Sequence, residues 1–184
     1  EEFFKVWSTV AREEADRYSA RKNGNRPINT RAAAPTGTIG IIAETTTGIE
    51  PIFCIAYRRR YLNGDKHYYQ HVVDPTAKRL IEQGIPPEQI EDAYTLSKNF
   101  ERRIAVQAKI QQYVDQAISS TVNIPAYDIQ NNGNISHFSN IIAKYLPQLK
   151  GLTMYPNNAR PGQPLSPIPL EEALGQEGVV IEES

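Results

Sequence analysis

The densest set of groups able to do chemistry lies in the run Arg31-Ala32-Ala33-Ala34-Pro35-Thr36-Gly37-Thr38-Ile39-Gly40. A strand feeding such a Pro-Thr-Gly-Thr turn and then a helix leaves the first helical N–H groups unpaired and partly positive. That is a favourable setting for a phosphate. Thr36 and Thr38 can add hydroxyl donors, and Gly37 lets an anion come close to the backbone. The same residues also make an ordinary helix cap, and on pattern alone both readings stay open.

Other candidates are weaker. Glu50, in Gly48-Ile49-Glu50-Pro51, is a carboxylate beside a proline-fixed turn; proton transfer is one reading, a turn or ion-pair residue the commoner one. His67, His71 and His137 lack the spacing of a metal set, and packing or surface roles are expected for them. Cys54 sits between Phe53 and Ile55 with no basic neighbour before Arg58, which describes a buried, inert thiol. The run Arg58-Arg59-Arg60 reads as a solvated face before it reads as a phosphate grip.

The whole chain sets limits on these sites. It has 184 residues with formal net charge -1, which suits one domain or one sizeable piece of a larger one. That balance offers no basic field for a polynucleotide, so nucleic acid is not an expected partner. A single cysteine excludes an internal disulfide and agrees with a reducing, cytoplasmic setting. No apolar run approaches the ~20 residues of a membrane span, and Glu1-Glu2-Phe3-Phe4 has neither part of a signal peptide. The absence of an initiator Met raises the expectation of a split, processed or truncated product.

Periodicity supplies the elements that must hold these residues. An amphipathic helix is predicted over 1–22, ended by Asn23-Gly24-Asn25 and Pro27. A short extended stretch over 28–34 follows, and its alanines suggest a tightly packed, buried strand. A short helix is expected over 38–44. Asn63-Gly64-Asp65 between two aromatic, β-branched runs predicts a hairpin. Asp74-Pro75 caps a helix reaching about Gln83. The longest helix is expected over 99–118, a short strand over 121–124, a helix over 135–146 and a strand over 151–155. From Pro156 the prolines Pro161, Pro164, Pro167 and Pro169 predict an irregular or disordered tail over 159–184. Alternating helices and short strands mean α/β, yet the strands are too few for a complete sheet.

Four of these segments, in order, resemble the catalytic subunits of ribonucleotide reductases. Ala34-Pro35-Thr36-Gly37-Thr38-Ile39-Gly40 is similar to that family's substrate-phosphate loop. Thr47-Gly48-Ile49-Glu50-Pro51-Ile52-Phe53 is similar to the turn after it. Ser120-Thr121-Val122-Asn123-Ile124-Pro125 resembles the strand after the long helix, and Lys150-Gly151-Leu152-Thr153-Met154-Tyr155 the last barrel strand. Tyr155 is followed by Pro156, whereas the form with a separate radical-generating subunit carries two adjacent tyrosines there. The chain therefore looks most like the adenosylcobalamin-dependent (class II) form, with Tyr155 a packing residue.

The resemblance implies the C-terminal portion, 1–158, of a ten-stranded α/β barrel, incomplete on its own. It implies reduction of ribonucleotides to deoxyribonucleotides for DNA synthesis by a cysteine thiyl radical, with a glutamate, an asparagine and two further cysteines assisting. No Asn-x-Cys-x-Glu motif and no cysteine pair are present, and Cys54 follows the loop where the family's radical cysteine precedes it. Only the substrate-phosphate site carries over: Pro35, Thr36, Gly37, Thr38 and Ile39. No catalytic residue is assigned, and Glu50 is not carried over as one. The implied partners are a ribonucleotide substrate and an upstream reductase polypeptide bearing the radical cysteine. Adenosylcobalamin would be held mainly by the rest of the enzyme, and the chain alone is expected to be inactive. The alternatives are a non-catalytic nucleotide- or phosphate-binding module on half a reductase fold, or a fragment of the tyrosine-relay (class I) subunit.

Overall fold

The computed structural model describes residues 1–125, 135–157 and 164–183. Helix α1 (Glu2–Lys22) leads the chain and ends on Asn23, whose left-handed backbone (φ 47°) returns its N–H to the Ala20 and Ser19 carbonyls. The segment 28–34 runs extended but contributes only one parallel bridge, Ala33 to Ile118. Ala32 and Ala34 are exposed, so the expected buried strand is not buried among the described residues. Nothing described pairs with its outer edge.

The hairpin forms as expected. Strands β1 (Ala56–Asn63) and β2 (Lys66–Val73) pair antiparallel around Gly64, which takes φ +63°. Between the loop and this hairpin lies α2 (Gly37–Ile42), and after it α3 (Pro75–Glu82). The Asp74 carboxylate accepts from the Thr76 and Ala77 N–H groups, with Pro75 in the first turn. The short α4 (Ala93–Leu96) begins on a reciprocal Asp92–Thr95 capping box.

The longest described helix is α1, not the expected 99–118. α5 spans only Phe100–Gln111. The Gln111 amide donates to the Val114 and Gln116 carbonyls, at 2.9 and 2.8 Å, and turns the chain out of the helix. Val114 and Ile118 remain buried, in extended chain rather than on a helical stripe. β3 (Thr121–Ile124) and β4 (Thr153–Pro156) then pair parallel across α6 (Ile135–Tyr145).

The tail also differs from expectation. β5 (Leu165–Pro167) pairs with β1, and β6 (Val180–Glu182) pairs with β2, giving an antiparallel sheet in the order β5-β1-β2-β6. α7 (Leu170–Gly175) between them buries Ala173 against Ala56 and Val73. Pro167 sits in edge strand β5, which tolerates a residue that lacks a ladder donor, while Pro164 precedes that strand and Pro169 precedes α7. Residues 159–163 and 184, Pro161 among them, and the boundary at 158 lie outside the described residues.

Three small apolar clusters replace one large core: Ile52–Ala77–Ile90, Ala56–Val73–Ala173 and Ile104–Val122–Ile141. The third welds α5 and α6 onto the parallel pair. Ile104 is fully enclosed, so Ile104→Ala should cost roughly 2–5 kcal/mol in urea denaturation. A loss under about 1 kcal/mol would show that this cluster does not hold the fold.

Candidate functional site

The loop Pro35–Ile39 stands where the extended segment 30–34 passes into α2. Its approach is fixed by the neighbouring chain: the Gln116 N–H donates to the Arg31 carbonyl at 3.1 Å and the Ser119 N–H to the Ala33 carbonyl at 2.8 Å. The Arg31 guanidinium is buried, donating to the Tyr113 carbonyl at 2.8 Å and meeting the Asp115 carboxylate at 2.5 Å. Asp115 also accepts from the Thr30 N–H and hydroxyl. Burial pushes this carboxyl up, but the Thr30 bonds and the Arg31 charge together hold it below its ordinary value.

Thr36 is the residue before the first helical turn, and the Gly40 N–H closes that turn on the Thr36 carbonyl at 2.7 Å. The N–H groups of Gly37, Thr38 and Ile39 therefore have no partner among the described residues, and the Thr36 side chain does not cap them. A Cβ added to Gly37 would meet nothing within 4 Å, so the approach to these donors is open. Pro35, Gly37, Thr38 and Ile39 are exposed and Thr36 half-buried. The five residues named from sequence thus form one continuous, accessible surface.

Two glycines escaped the sequence reading. A Cβ on Gly40 would lie 3.0 Å from Thr47 Cγ2 and 3.1 Å from the Thr46 carbonyl, so α2 rests directly on that segment. Gly48, at φ +69°, passes under the loop; its Cβ position lies 3.5 Å from the Ala34 carbonyl and 3.9 Å from Thr36 Oγ1. The only sequence signal for either was a glycine near a turn.

Beneath this turn sits a small polar cluster. Glu50 Oε1 accepts the Thr121 N–H at 2.6 Å. Arg103, buried on α5, donates to Ser120 Oγ at 2.9 Å, and Ser120 in turn donates to the Ile49 carbonyl at 3.2 Å. Glu50 is thus a turn residue tied to β3. Burial raises its carboxyl pKa, while the Thr121 N–H and the Arg103 charge pull the other way.

The remaining candidates lie elsewhere. Cys54 is buried, its thiol directed at the Ala56 carbonyl, and burial, then Asp92 and Asp74, push its pKa far up, so it holds its proton. His71 is buried 3.4 Å from Glu172 Oε1, and His67 lies 4.0 Å from Glu183 Oε2. Among the described residues no three His, Cys, Asp or Glu side chains are grouped to hold a metal ion. Arg58 and Arg59 lie over the rings of Tyr69 and Tyr61, and Arg60 pairs with Glu183 at 2.8 Å. No described helix is long and apolar enough to cross a membrane.

The class of protein follows from comparison of this architecture with known proteins. Residues 4–155 match the model of the ribonucleotide reductase barrel domain. The chain belongs to the ribonucleotide reductase barrel-domain family. It is 30% identical over 176 residues to a vitamin B12-dependent ribonucleoside-diphosphate reductase of Mycobacterium tuberculosis (strain CDC 1551 / Oshkosh), covering 85% of this chain and 25% of that protein. A vitamin B12-dependent ribonucleoside-diphosphate reductase of Thermoplasma acidophilum is 29% identical, covering 85% of this chain and 22% of that protein. A crystal structure of a B12-dependent (class II) ribonucleotide reductase superposes with TM-score 0.69 at 15% identity, over 95% of this chain and 26% of that one. The chain spans about a quarter of the length of these relatives.

The Glu50 geometry gives a pH prediction. A folded carboxyl with a raised pKa contributes stability that is complete below its ordinary value, 4.5, and lost as pH rises through the folded value. Glu50→Gln keeps an acceptor for Thr121 and removes the titration. The melting temperature of the native chain should fall relative to that of Glu50→Gln as pH rises from about 4 to about 8. A constant difference across this range would show that Glu50 is not perturbed.

Proposed function

We propose that this chain is the barrel-closing, substrate-phosphate-binding part of a ribonucleotide reductase of the adenosylcobalamin-dependent kind. Such an enzyme reduces ribonucleotides to deoxyribonucleotides by radical chemistry for DNA synthesis. The observation that carries this reading is the loop itself. Three unpaired N–H groups, at Gly37, Thr38 and Ile39, face open space in a chain that belongs to the reductase barrel family.

The work assigned to this chain is positioning. Phosphate oxygens accept from the three backbone donors, with the Thr36 and Thr38 hydroxyls adding two more, and the short α2 contributes the positive end of its dipole. Gly37 offers no side chain to obstruct the anion. Holding the phosphates fixes where the ribose sits, which removes entropy from the barrier of any later step. No residue of this chain is assigned to the radical step, because Cys54 is sealed in and strongly protonated.

The radical cysteine is assigned to an upstream reductase polypeptide that completes the ten-stranded barrel with this chain. Open edges and uncovered apolar side chains support that assignment. Ile28, Ile39 and Ile42 are 92%, 69% and 78% exposed, on or beside the extended segment and α2. Bound adenosylcobalamin would supply the initiating radical chemistry. The cofactor is assigned mainly to the remaining polypeptide, because this chain spans about a quarter of the length of its vitamin B12-dependent relatives.

Gly37→Val should lower nucleotide affinity in the assembled enzyme at least about tenfold while leaving the melting temperature of the chain nearly unchanged. Unchanged affinity would sink the loop assignment. Ile42→Asp should leave the isolated chain folded but abolish co-purification with the cysteine-bearing partner and cobalamin-dependent reductase activity. If the chain emerges alone and inactive from its source lysate even without this change, the non-catalytic binding module becomes the better reading.

A further inference from the structure

A cavity of about 410 Å³ lies between the start of α1, one face of α5 and the turn 48–51. None of the phosphate-loop residues 35–39 lines it. Its volume falls within the range of small-molecule sites, ~300–1,000 Å³. Arg103, Val106 and Ile110 form the α5 wall, and spacings of three and four residues put them on one helical face. Phe4, Ile49, Pro51 and Leu96 supply the rest of the apolar lining.

Two arginines are buried among the described residues, and only one of them is matched by an acid. Arg31 meets the Asp115 carboxylate at 2.5 Å. Arg103, 7% exposed, donates through Nη2 to the neutral Ser120 hydroxyl, while its Nε is enclosed with no partner. No carboxylate among the described residues is in ion-pair contact with it. Glu50 commits Oε1 to the Thr121 N–H and reaches Arg103 only through its field. Burial outweighs that field and pulls the Arg103 pKa down. A guanidinium nonetheless keeps its charge at working pH, so one buried with a single neutral acceptor is short of an anion. Glu91 and Arg102, on the more exposed side of the cavity, pair with each other and cancel.

We propose that this cavity binds a small monocarboxylate with an apolar body, of the kind of a medium-chain fatty acid. The carboxylate meets the Arg103 guanidinium, and the apolar body lies against Phe4, Val106 and Ile110. A single negative charge suits this place better than a phosphate does. The walls are apolar and Glu50 stands close by, so a second charge would be left unanswered. The inference does not rest on the reductase reading, since the cavity is built from described side chains alone.

The test is calorimetric titration of the full 184-residue chain with octanoate, octanol and acetate, repeated with octanoate in excess inorganic phosphate. The expected result is one saturable site for octanoate that phosphate does not displace. Octanol, which lacks the charge, and acetate, which lacks the apolar body, should each bind at least about tenfold more weakly. Arg103→Gln should cost octanoate about tenfold as well. Because Arg103 is buried and its loss could unfold the chain, Val106→Trp supplies a second variant. Val106 is 43% exposed, and the larger ring fills the cavity without touching the fold's interior. It should abolish octanoate binding, whereas Gly37→Val should change nothing. Glu50→Gln removes the competing charge and should tighten binding severalfold. No saturable binding, octanol binding as tightly as octanoate, or full affinity in Val106→Trp would each overturn the proposal. Octanoate displaced by phosphate, or lost in Gly37→Val and kept in Val106→Trp, would place the acid on the phosphate loop, upholding that assignment while removing this one.

Discussion

One buried guanidinium ties the architecture together. The Arg31 side chain is 1% exposed, and a charge that far from water persists only if every face of it is answered. It is answered by Asp115, by the Tyr113 carbonyl, by Thr30 Oγ1 at 2.8 Å and by the Ser8 carbonyl of α1 at 3.3 Å. One side chain thus joins the first helix, the extended approach to the loop and the chain leaving α5. The loop can project donors into open space because its root is held from three directions.

A second network repeats that logic one layer lower. Arg103, Ser120, the Ile49 carbonyl, Glu50 and the Thr121 N–H link α5, the glycine turn under the loop and the start of β3. Opposite charges half-withdrawn from water, with directional bonds on both, resist sliding more than an apolar contact of equal area. Gly48 matters here for its backbone, since φ +69° is a left-handed conformation that glycine adopts without strain. Positioning of the loop is therefore a property of residues far from it in sequence.

The hairpin and the C-terminal segment form a separate unit with its own economy. Both hairpin edges are covered, by β5 and β6, which removes the exposed ladder groups that invite misassociation. Glu182 pairs with Lys66, and Glu183 joins Arg60 and Tyr69, so acidic tail meets basic ribbon. Hydrogen bonds from Tyr69 and then Arg60 hold the Glu183 carboxyl below its ordinary value. β5, α7 and β6 lie beyond the stretch matched by the family model, although the two strands complete this sheet.

Local rules carried the sequence a long way. The Asp74-Pro75 cap, the Asn63-Gly64-Asp65 hairpin and the Asn23 stop of α1 all depend on neighbours in the chain, and all were legible there. The reductase family was legible too, because its turns are local motifs. What tertiary structure decided was everything set by distant partners. α5 stops at Gln111 because the segment beyond it is captured by Arg31 and the Gln111 amide. Pro167 enters β5 because the hairpin offers an open edge along β1, which composition does not encode. Gly40 becomes a packing constraint only once Thr46 and Thr47 arrive beside it. Periodicity and turn chemistry act over a few residues, whereas burial and pairing are settled by which segments meet.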